Sequence, residues 1–358
     1  MEKESSYSER LHLAIKQQQE HMEEEKRTKT KYAVENDYYW EKGRLIFKSP
    51  RRKTKGRRPS LERIHTISYY GSKRRWRKEF EILFRHAHDL GCNRFIDCFG
   101  GSGILSLVVS QTGLYNYIQL NELFYYLVNY HWVLKDDDAF KMFLVYLDRA
   151  GRCNEENYVQ SLEEQRKTIK NLRIRKQCRK PDAGDAAVYY CVKHHMYSGQ
   201  GKIVRERKLV TDYIETLKRT HILYKNITVT QYHYNKVMME NLNNIDSLVF
   251  LDCPYLPEVR EQKNSYAIEM STDQHRTMLE NLTDGILGAK VILCGYRSQL
   301  YDNYFLRCNE RYYTSWHCVK LKRSGSLKNG VEAKEHIWCN FGVSTLMDEY
   351  SDLFELVY

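Results

Sequence analysis

Residues 95–103 read Phe-Ile-Asp-Cys-Phe-Gly-Gly-Ser-Gly, which places a short apolar segment directly before a glycine-rich turn. The apolar segment predicts a strand over 94–99, and the apolar residues from Ile104 onward predict a helix. A strand, a tight turn and a helix in this order are typical of a parallel β-sheet with helices on its faces. A purely structural turn has the same appearance, so this stretch indicates an α/β fold and does not by itself indicate a ligand.

The alternation of strands and helices continues outward from this stretch. Upstream, a helix is predicted from apolar residues at helical spacing that end before a glycine: Trp76, Phe80, Leu83, Ala87, Leu90 and Gly91. Downstream, short apolar runs predict strands over 117–120, 227–230, 248–251 and 291–294. Segments 315–321 and 336–341 predict a hairpin that closes the sheet. A helix containing Leu127 and Val133 follows the second strand.

The stretch from about Asp136 to Leu223 interrupts this alternation. It is basic and lacks strand-like periodicity, so it predicts an inserted, mostly helical module. The sequence therefore predicts four parts: a charged N-terminal extension (1–60), a cofactor-binding half (61–135), the helical insert (136–224) and a catalytic half (225–358).

Charge and cysteine content restrict the class of protein. The 358 residues carry a net charge of +11, and residues 161–220 alone hold 15 Lys and Arg against 7 Asp and Glu. A second basic cluster lies between Arg51 and Arg58. Clustered cations with 29 tyrosines suit a nucleic acid, although solubilising surface charge has the same composition. Ten cysteines without zinc spacing, and no long apolar run, predict a cytoplasmic protein with reduced thiols, no metal site and no membrane segment.

A second acid follows the next predicted strand. Asn121-Glu122 ends that strand, about twenty residues after the glycine-rich turn. A carboxylate at this point can accept hydrogen bonds from ribose hydroxyls, which is how such sheets hold adenosine cofactors. The turn and the acid together favour a nucleoside cofactor, but they do not separate a nicotinamide dinucleotide from S-adenosylmethionine.

The run Leu248-Val249-Phe250-Leu251-Asp252-Cys253-Pro254-Tyr255 separates them, although a strand that ends in a capped turn looks similar. Adenine's exocyclic amine is a poor nucleophile because its lone pair is delocalised into the ring. A carboxylate from Asp252 and the carbonyl of Cys253 could accept its two hydrogens and make the nitrogen more nucleophilic. Tyr255 could stack on a base that has swung out of the helix.

Several motifs together resemble the Dam-type (group alpha) N6-adenine-specific DNA methyltransferases. They are Tyr69-Tyr70-Gly71-Ser72-Lys73, Phe99-Gly100-Gly101-Ser102-Gly103, Asn121-Glu122, Asp252-Cys253-Pro254-Tyr255, Ser265-Tyr266, Ser271-Thr272-Asp273-Gln274-His275, Ile292-Leu293-Cys294-Gly295-Tyr296, Leu300-Tyr301-Asp302 and Glu335-His336-Ile337-Trp338-Cys339-Asn340-Phe341. The resemblance covers about residues 67–345 and is weak in the insert. It implies a class I S-adenosylmethionine-dependent methyltransferase fold, a Rossmann-like sheet that carries a helical target-recognition insert. It also implies S-adenosylmethionine as cofactor and double-stranded DNA as substrate.

The resemblance also implies roles for individual residues. The catalytic set is Asp252, Cys253, Pro254 and Tyr255. The cofactor set is Tyr69, Lys73, Asp97, Phe99, Gly100, Gly101, Gly103, Glu122 and Asp252. Cys253 stands where the family usually has a second proline, Ser72 stands where a glycine is commoner, and His233 aligns with a family acid that lies near the cofactor's adenine.

In the insert, the candidates for DNA contact are Tyr197, Ser198, Lys202, Arg205, Arg207 and Lys208. A solvated loop would have the same composition. Three alternatives stay open at this point: a DNA-binding protein of the same fold that has lost catalysis, an RNA adenine methyltransferase, and a cytosine methyltransferase with Cys253 as nucleophile. A companion restriction endonuclease encoded elsewhere is a further expectation.

Overall fold

A computed structural model of the chain describes residues 38–41, 44–47, 64, 66–151, 164–165, 167, 176–195, 213–260, 266–312, 316–322 and 335–358. The basic cluster from Arg51 to Arg58 and all six candidates for DNA contact between Tyr197 and Lys208 lie outside these residues. The chain separates into two compact units, residues 1–61 and residues 62–358. In the first, β1 (Tyr38–Glu41) pairs antiparallel with β2 (Arg44–Phe47), a hairpin that the sequence does not predict.

The second unit is built on one eight-stranded sheet. Its strands are β3 (Arg94–Asp97), β4 (Tyr117–Asn121), β5 (Ile227–Thr230), β6 (Ser247–Leu251), β7 (Lys290–Tyr296), β8 (His317–Leu321), β9 (Glu335–Cys339) and β10 (Phe354–Leu356). Across the sheet they lie in the order β10-β8-β9-β7-β6-β3-β4-β5. The five strands β3 to β7 pair parallel with one another. Strand β9 runs antiparallel to both of its neighbours, β7 and β8. The predicted parallel sheet and its closing hairpin are therefore confirmed.

The edge beyond that hairpin differs from the sequence prediction. Strand β10 pairs antiparallel with β8 and extends the sheet by one strand. Only three residues form it, and Phe354 is its one buried side chain. A segment this short gives too little apolar alternation to be recognised from the sequence.

Ten α-helices with defined bounds accompany the strands in the described part of the chain, in addition to two short 3₁₀ helices, Lys73–Trp76 and Pro257–Val259. The α-helices are α1 (Arg77–Asp89), α2 (Ile104–Thr112), α3 (Tyr125–Lys135), α4 (Asp137–Gly151), α5 (Ala183–His195), α6 (Ile214–Tyr224), α7 (Tyr234–Asn241), α8 (Thr272–Thr283), α9 (Gln299–Tyr312) and α10 (Ser344–Glu349). In α1 the predicted apolar face is buried at Phe80, Leu83 and Ala87. Leu90, expected on the same face, is 44% exposed because it follows the last helical turn, and Gly91 comes next with φ of +100°.

The predicted insert contributes α4, α5 and α6, and these helices share a core with α3. Tyr130 of α3 stacks on Tyr190 of α5, with ring centroids 6.1 Å apart, and meets Phe143 of α4 edge-on at 6.2 Å. Burial of large aromatic rings is a strong source of packing energy. The division of residues 62–358 into two halves and an insert stays a prediction, because these residues form one compact unit.

Candidate active site

One edge of the sheet collects the acidic residues that the sequence singled out. The parallel strands β3, β4 and β6 end there, and Asp97, Glu122 and Asp252 stand at or just after their last residues. Over this edge lies a cleft with about 1010 Å³ of empty space, part of it open to solvent. Eight of the nine proposed cofactor residues line the cleft: Tyr69, Lys73, Asp97, Phe99, Gly100, Gly101, Glu122 and Asp252.

The glycine-rich turn packs tightly against β4. A Cβ atom on Gly100 would lie 2.6 Å from Cδ2 of Leu120, closer than real contacts allow. Gly101 has φ of +51° and Gly103 has φ of +74°, in the left-handed region that favours glycine. Gly103 does not line the cleft; it begins α2, and a Cβ there would meet the Tyr224 hydroxyl at 2.6 Å.

Glu122 fastens this turn from the neighbouring strand. Its Oε2 accepts a hydrogen bond from the Gly101 amide at 2.9 Å, and its Oε1 accepts from the amides of Leu123 at 2.8 Å and Phe124 at 3.0 Å. Burial raises the pKa of Glu122, and the three amides partly offset that effect. A carboxylate offers about four acceptor positions, so one remains for a ligand hydroxyl.

Asp97 lies at the floor of the cleft. Its Oδ2 accepts a hydrogen bond from the Ser106 hydroxyl at 2.8 Å, and its buried Oδ1 has no hydrogen-bond partner among the described residues. Burial raises the pKa of Asp97 to about 7, with Ser106 acting in the opposite direction. A buried acceptor without a partner is costly, so it suits a donor group on a bound molecule.

The side chain of Asn121 links the ends of β3, β4 and β5 beside this turn. Its amide nitrogen donates to the carbonyl of Cys98 at 3.1 Å and to that of Tyr232 at 2.9 Å, and its amide oxygen accepts from the Tyr232 amide at 2.9 Å. The loop after β5 is thereby held against β3 and β4. His233 at the end of that loop and Tyr234, the first residue of α7, line the cleft, and the Tyr234 ring stacks on Phe99 at 4.9 Å.

Asp252 belongs to a buried cluster of charges. Lys73, whose side chain is 4% exposed, places Nζ 2.6 Å from Asp252 Oδ1 and 3.6 Å from Glu335 Oε1. The Tyr255 hydroxyl donates a hydrogen bond to the same Glu335 oxygen, and its ring lies 4.9 Å below the ammonium. Burial lowers the pKa of Lys73, but attraction to Asp252 and Glu335 outweighs it, so the ammonium stays charged.

Burial also changes the acidity of Asp252. It raises the pKa of this carboxyl group, and the Lys73 ammonium partly offsets the increase. The side chain of Asp252 is 19% exposed and faces the cleft. A carboxylate with a raised pKa is a stronger hydrogen-bond acceptor and a better proton acceptor than an ordinary one. The cluster can therefore accept hydrogens from an amine in the cleft.

Two of the four proposed catalytic residues point away from the cleft. Cys253 is fully buried, with Sγ 3.9 Å from the Tyr301 hydroxyl, and burial raises the pKa of its thiol to about 12. Tyr255 is 6% exposed and packs edge-on against Tyr296 at 4.8 Å. Neither side chain lines the cleft, whereas Pro254 does.

Several site residues stand in sequence motifs without an assigned role, and others have no recognisable sequence signal. Glu335 and Tyr266 appear in the motifs, but nothing in their local sequence shows that Tyr266 lines the cleft or that Glu335 contacts Lys73 and Tyr255. Tyr70 stands in the first motif without a role of its own, whereas Tyr232, Tyr234, Glu269 and Met270 line the cleft and carried no signal. His233, aligned with a family acid, lines the cleft as well, and its ring accepts a hydrogen bond from the Asn235 amide at 3.4 Å.

Comparison with known families decides the chemistry. The sequence matches the family described as D12 class N6 adenine-specific DNA methyltransferase over residues 69–324, well over half of the chain. The chain belongs to this family. It is an enzyme that transfers a methyl group from S-adenosylmethionine to the N6 amine of adenine in DNA. The sheet of this methyltransferase, with parallel strands and the antiparallel β9 between β7 and β8, has the class I S-adenosylmethionine-dependent fold. Comparison with curated proteins gives no match.

The cleft of the methyltransferase fits its cofactor. Polar groups converge on it, and Glu122 keeps one acceptor position for a ribose hydroxyl. The unpartnered Oδ1 of Asp97 suits the ammonium of the cofactor's methionine part. Within the described residues, no helix has the length and apolar character that crossing a membrane requires, and no cluster of three or more potential metal ligands occurs. Nine of the ten cysteines are described; all nine are buried, and none of them forms a disulfide.

Proposed function

We propose that Asp252 and the backbone carbonyl of Cys253 hold and activate the adenine amine. The position of Asp252 supports this proposal: its carboxylate follows β6 directly, faces the cleft and lies on the same sheet edge as Glu122. Each acceptor takes one N6 hydrogen and draws the lone pair out of the aromatic ring. The base enters the cleft only after it has left the DNA stack.

S-adenosylmethionine supplies, when bound, a methyl group on a positively charged sulfur, which becomes a neutral thioether after transfer. With the cofactor bound, N6 would take this methyl group as the methyl–sulfur bond breaks, and it would then give up one proton. Asp252 is the carboxylate that receives this proton, because its raised pKa suits a base. No covalent bond to the enzyme forms.

We assign the cofactor contacts to the residues around the glycine-rich turn. Glu122 binds the ribose, and Asp97 binds the amino group. Tyr69, Lys73 and Phe99 shape the walls of the cleft. Gly100, Gly101 and Gly103 give the turn its shape, the last from behind the cleft.

The role of Cys253 gives the first prediction. Cys253→Ala and Cys253→Pro both keep the backbone carbonyl, so both variants should retain turnover, and the proline variant should equal or modestly exceed the wild type. The buried thiol with its raised pKa is not available as a nucleophile. Activity is measured with labelled cofactor on unmethylated genomic DNA, and the product base is identified by nucleoside mass spectrometry. Loss of activity in a folded Cys253→Ala enzyme, or 5-methylcytosine as product, would favour the cysteine mechanism.

Tyr255 provides a second prediction. If its ring supports the flipped adenine, Tyr255→Phe should keep most of the activity, whereas Tyr255→Ala should lose about 1–3 kcal/mol of base-binding energy. Such stacking requires the ring to turn out of its packing against Tyr296. Turnover of both variants on the same DNA is the measurement. Equal losses would assign the contribution to the hydroxyl that donates to Glu335.

We further propose that the basic insert, residues 136–224, holds double-stranded DNA, with Tyr197, Ser198, Lys202, Arg205, Arg207 and Lys208 as contacts. Its net positive charge supports this assignment. Methylation in the presence of duplex DNA and RNA competitors tests it, and preference for RNA would contradict it. A restriction endonuclease encoded elsewhere as partner and a cytoplasmic location are also proposals. Co-purification and cell fractionation test them, and absence of the nuclease or recovery outside the cytoplasm would reject them.

A further inference from the structure

Lys73 stands between two buried carboxylates. Its Nζ lies 2.6 Å from Asp252 Oδ1 and 3.6 Å from Glu335 Oε1, and it also donates to the Gly71 carbonyl at 3.2 Å. The first distance is a short charge-assisted hydrogen bond, and the second is just outside hydrogen-bonding range. The ammonium therefore belongs to Asp252 in this structure, with Glu335 as a second acceptor close by.

The pairing of Asp252 with Lys73 weakens the role proposed for Asp252 as an acceptor of an N6 hydrogen. The oxygen that Lys73 occupies is on the carboxylate that has to accept a hydrogen from N6. A carboxylate paired with an ammonium is a weaker acceptor and a weaker base, because the positive charge stabilises its ionised form. Asp252 would therefore accept the N6 hydrogen more strongly if Lys73 loosened its hold when the amine arrives.

We propose that Glu335 is a positioning residue that takes over the Lys73 ammonium and so frees Asp252 for the adenine amine. This inference rests on the proposed role of Asp252. A movement of Nζ by about 0.5–1 Å would bring it within hydrogen-bonding distance of Glu335. Glu335 acts through Lys73 and touches neither the base nor the cofactor.

The topology of the sheet places Glu335 where it can do this. Strand β9 is antiparallel to β7, so its first residue, Glu335, lies opposite Tyr296, the last residue of β7. An antiparallel strand begins at the edge where parallel strands end. The Tyr255 hydroxyl fixes the Glu335 carboxylate by donating to Oε1.

The charged and titratable groups around the cluster come from several parts of the chain. Lys73 precedes α1, Asp252 and Tyr255 follow β6, Glu335 begins β9, and the buried thiol of Cys294 lies on β7. Asp97, the last residue of β3, acts electrostatically on Asp252. Tyr266, in the loop before α8, is the remaining neighbour of Lys73. Two carboxylates and one ammonium leave one net negative charge while the thiol and hydroxyls are neutral.

The test compares Glu335→Gln with the wild type and with Glu79→Gln. Glu79 lies on α1, is 5% exposed and takes no part in the cluster, so it receives the same chemical change as a matched control. Glu335→Gln should lower kcat on unmethylated genomic DNA by about 10- to 100-fold, the effect of one charge-assisted hydrogen bond. The Kd for S-adenosylmethionine, measured by calorimetry, should stay within about 3-fold of wild type. Glu79→Gln should match the wild type in kcat and in the Kd for S-adenosylmethionine.

The pH profile of kcat separates positioning from mere structural support. Glu335→Gln removes a negative charge near Asp252, which lowers the pKa of Asp252, so the acidic limb should move to lower pH. Glu335→Asp keeps the charge and should leave this limb in place, with a loss in kcat smaller than about 10-fold. This variant also carries the test if the glutamine variant does not fold.

The inference would be overturned if both Glu335 variants lost kcat equally and the acidic limb of neither pH profile moved. It would also be overturned if folded Glu335→Gln had the wild-type kcat, or if the acidic limb moved in Glu335→Asp. Asp252→Asn is measured alongside. An active wild type with an inactive Asp252→Asn and an unaffected Glu335→Gln rejects only the role of Glu335. A fully active Asp252→Asn rejects the proposed mechanism itself.

Discussion

Asp252→Ala should lower kcat by about 10²–10³-fold, the usual cost of removing a preorganised polar group from the reacting centre. The variant loses the carboxylate that polarises N6 and receives its proton, while the carbonyl of residue 253 remains. The measurement is methyl transfer to unmethylated genomic DNA under saturating cofactor. DNA binding and cofactor binding should largely persist, because the other acids of the cleft are intact.

The alanine variant also removes the closest partner of a buried cation. Breaking a buried ion pair typically costs about 3–5 kcal/mol of stability, and Glu335, 3.6 Å from Lys73, should keep the loss at the lower end. Asp252→Asn is the matched control, since it keeps the shape and removes only the charge. Thermal unfolding of each variant shows whether the fold survives. A normal rate in folded Asp252→Ala would refute the mechanism.

Glu122→Ala should raise the Kd for S-adenosylmethionine by about 10- to 100-fold, because each charge-assisted hydrogen bond contributes about 1.5–3 kcal/mol. The effect has two sources. The ribose loses its acceptor, and the amides of Gly101, Leu123 and Phe124 lose the carboxylate that holds the turn. Calorimetric titration gives the Kd, and kcat at saturating cofactor should fall much less.

Glu122→Gln separates these two sources. The amide oxygen of glutamine still accepts a hydrogen bond from one or two of the backbone amides, whereas its NH₂ group repels the others and supplies no charge. Its Kd should lie between those of the wild type and the alanine variant. An unchanged Kd in Glu122→Ala would show that the ribose is held elsewhere.

The sequence predicted the central part of the fold because parallel strands follow a simple rule. Each of β3, β4 and β6 carries its acid at the carboxyl end, and parallel pairing brings those ends to one edge. Asp97, Glu122 and Asp252 could thus be grouped without coordinates. The roles given to them remain predictions, which the variants above test.

Other parts of the site could not be predicted, for identifiable physical reasons. Glu335 opens an antiparallel strand, so its position depends on a pairing that local sequence does not encode. The direction of Tyr255 depends on its rotamer and on the hydroxyl bond to Glu335. The contact between Phe99 and Tyr234 depends on the loop before α7, which Asn121 holds through hydrogen bonds to the backbone of Tyr232. Strand β10 is too short to show periodicity.

The antiparallel position of β9 has a consequence for biosynthesis. Lys73 and Asp252 are 179 residues apart in the chain, and Tyr255 and Glu335 are 80 residues apart. Such distant contacts form late, because long loops have to close first. During translation, Lys73 and Asp252 can meet while β9 is still inside the ribosome. A chain stalled at that stage would lack Glu335 as a second acceptor for Lys73, so its Lys73–Asp252 pair should resemble the pair in Glu335→Gln.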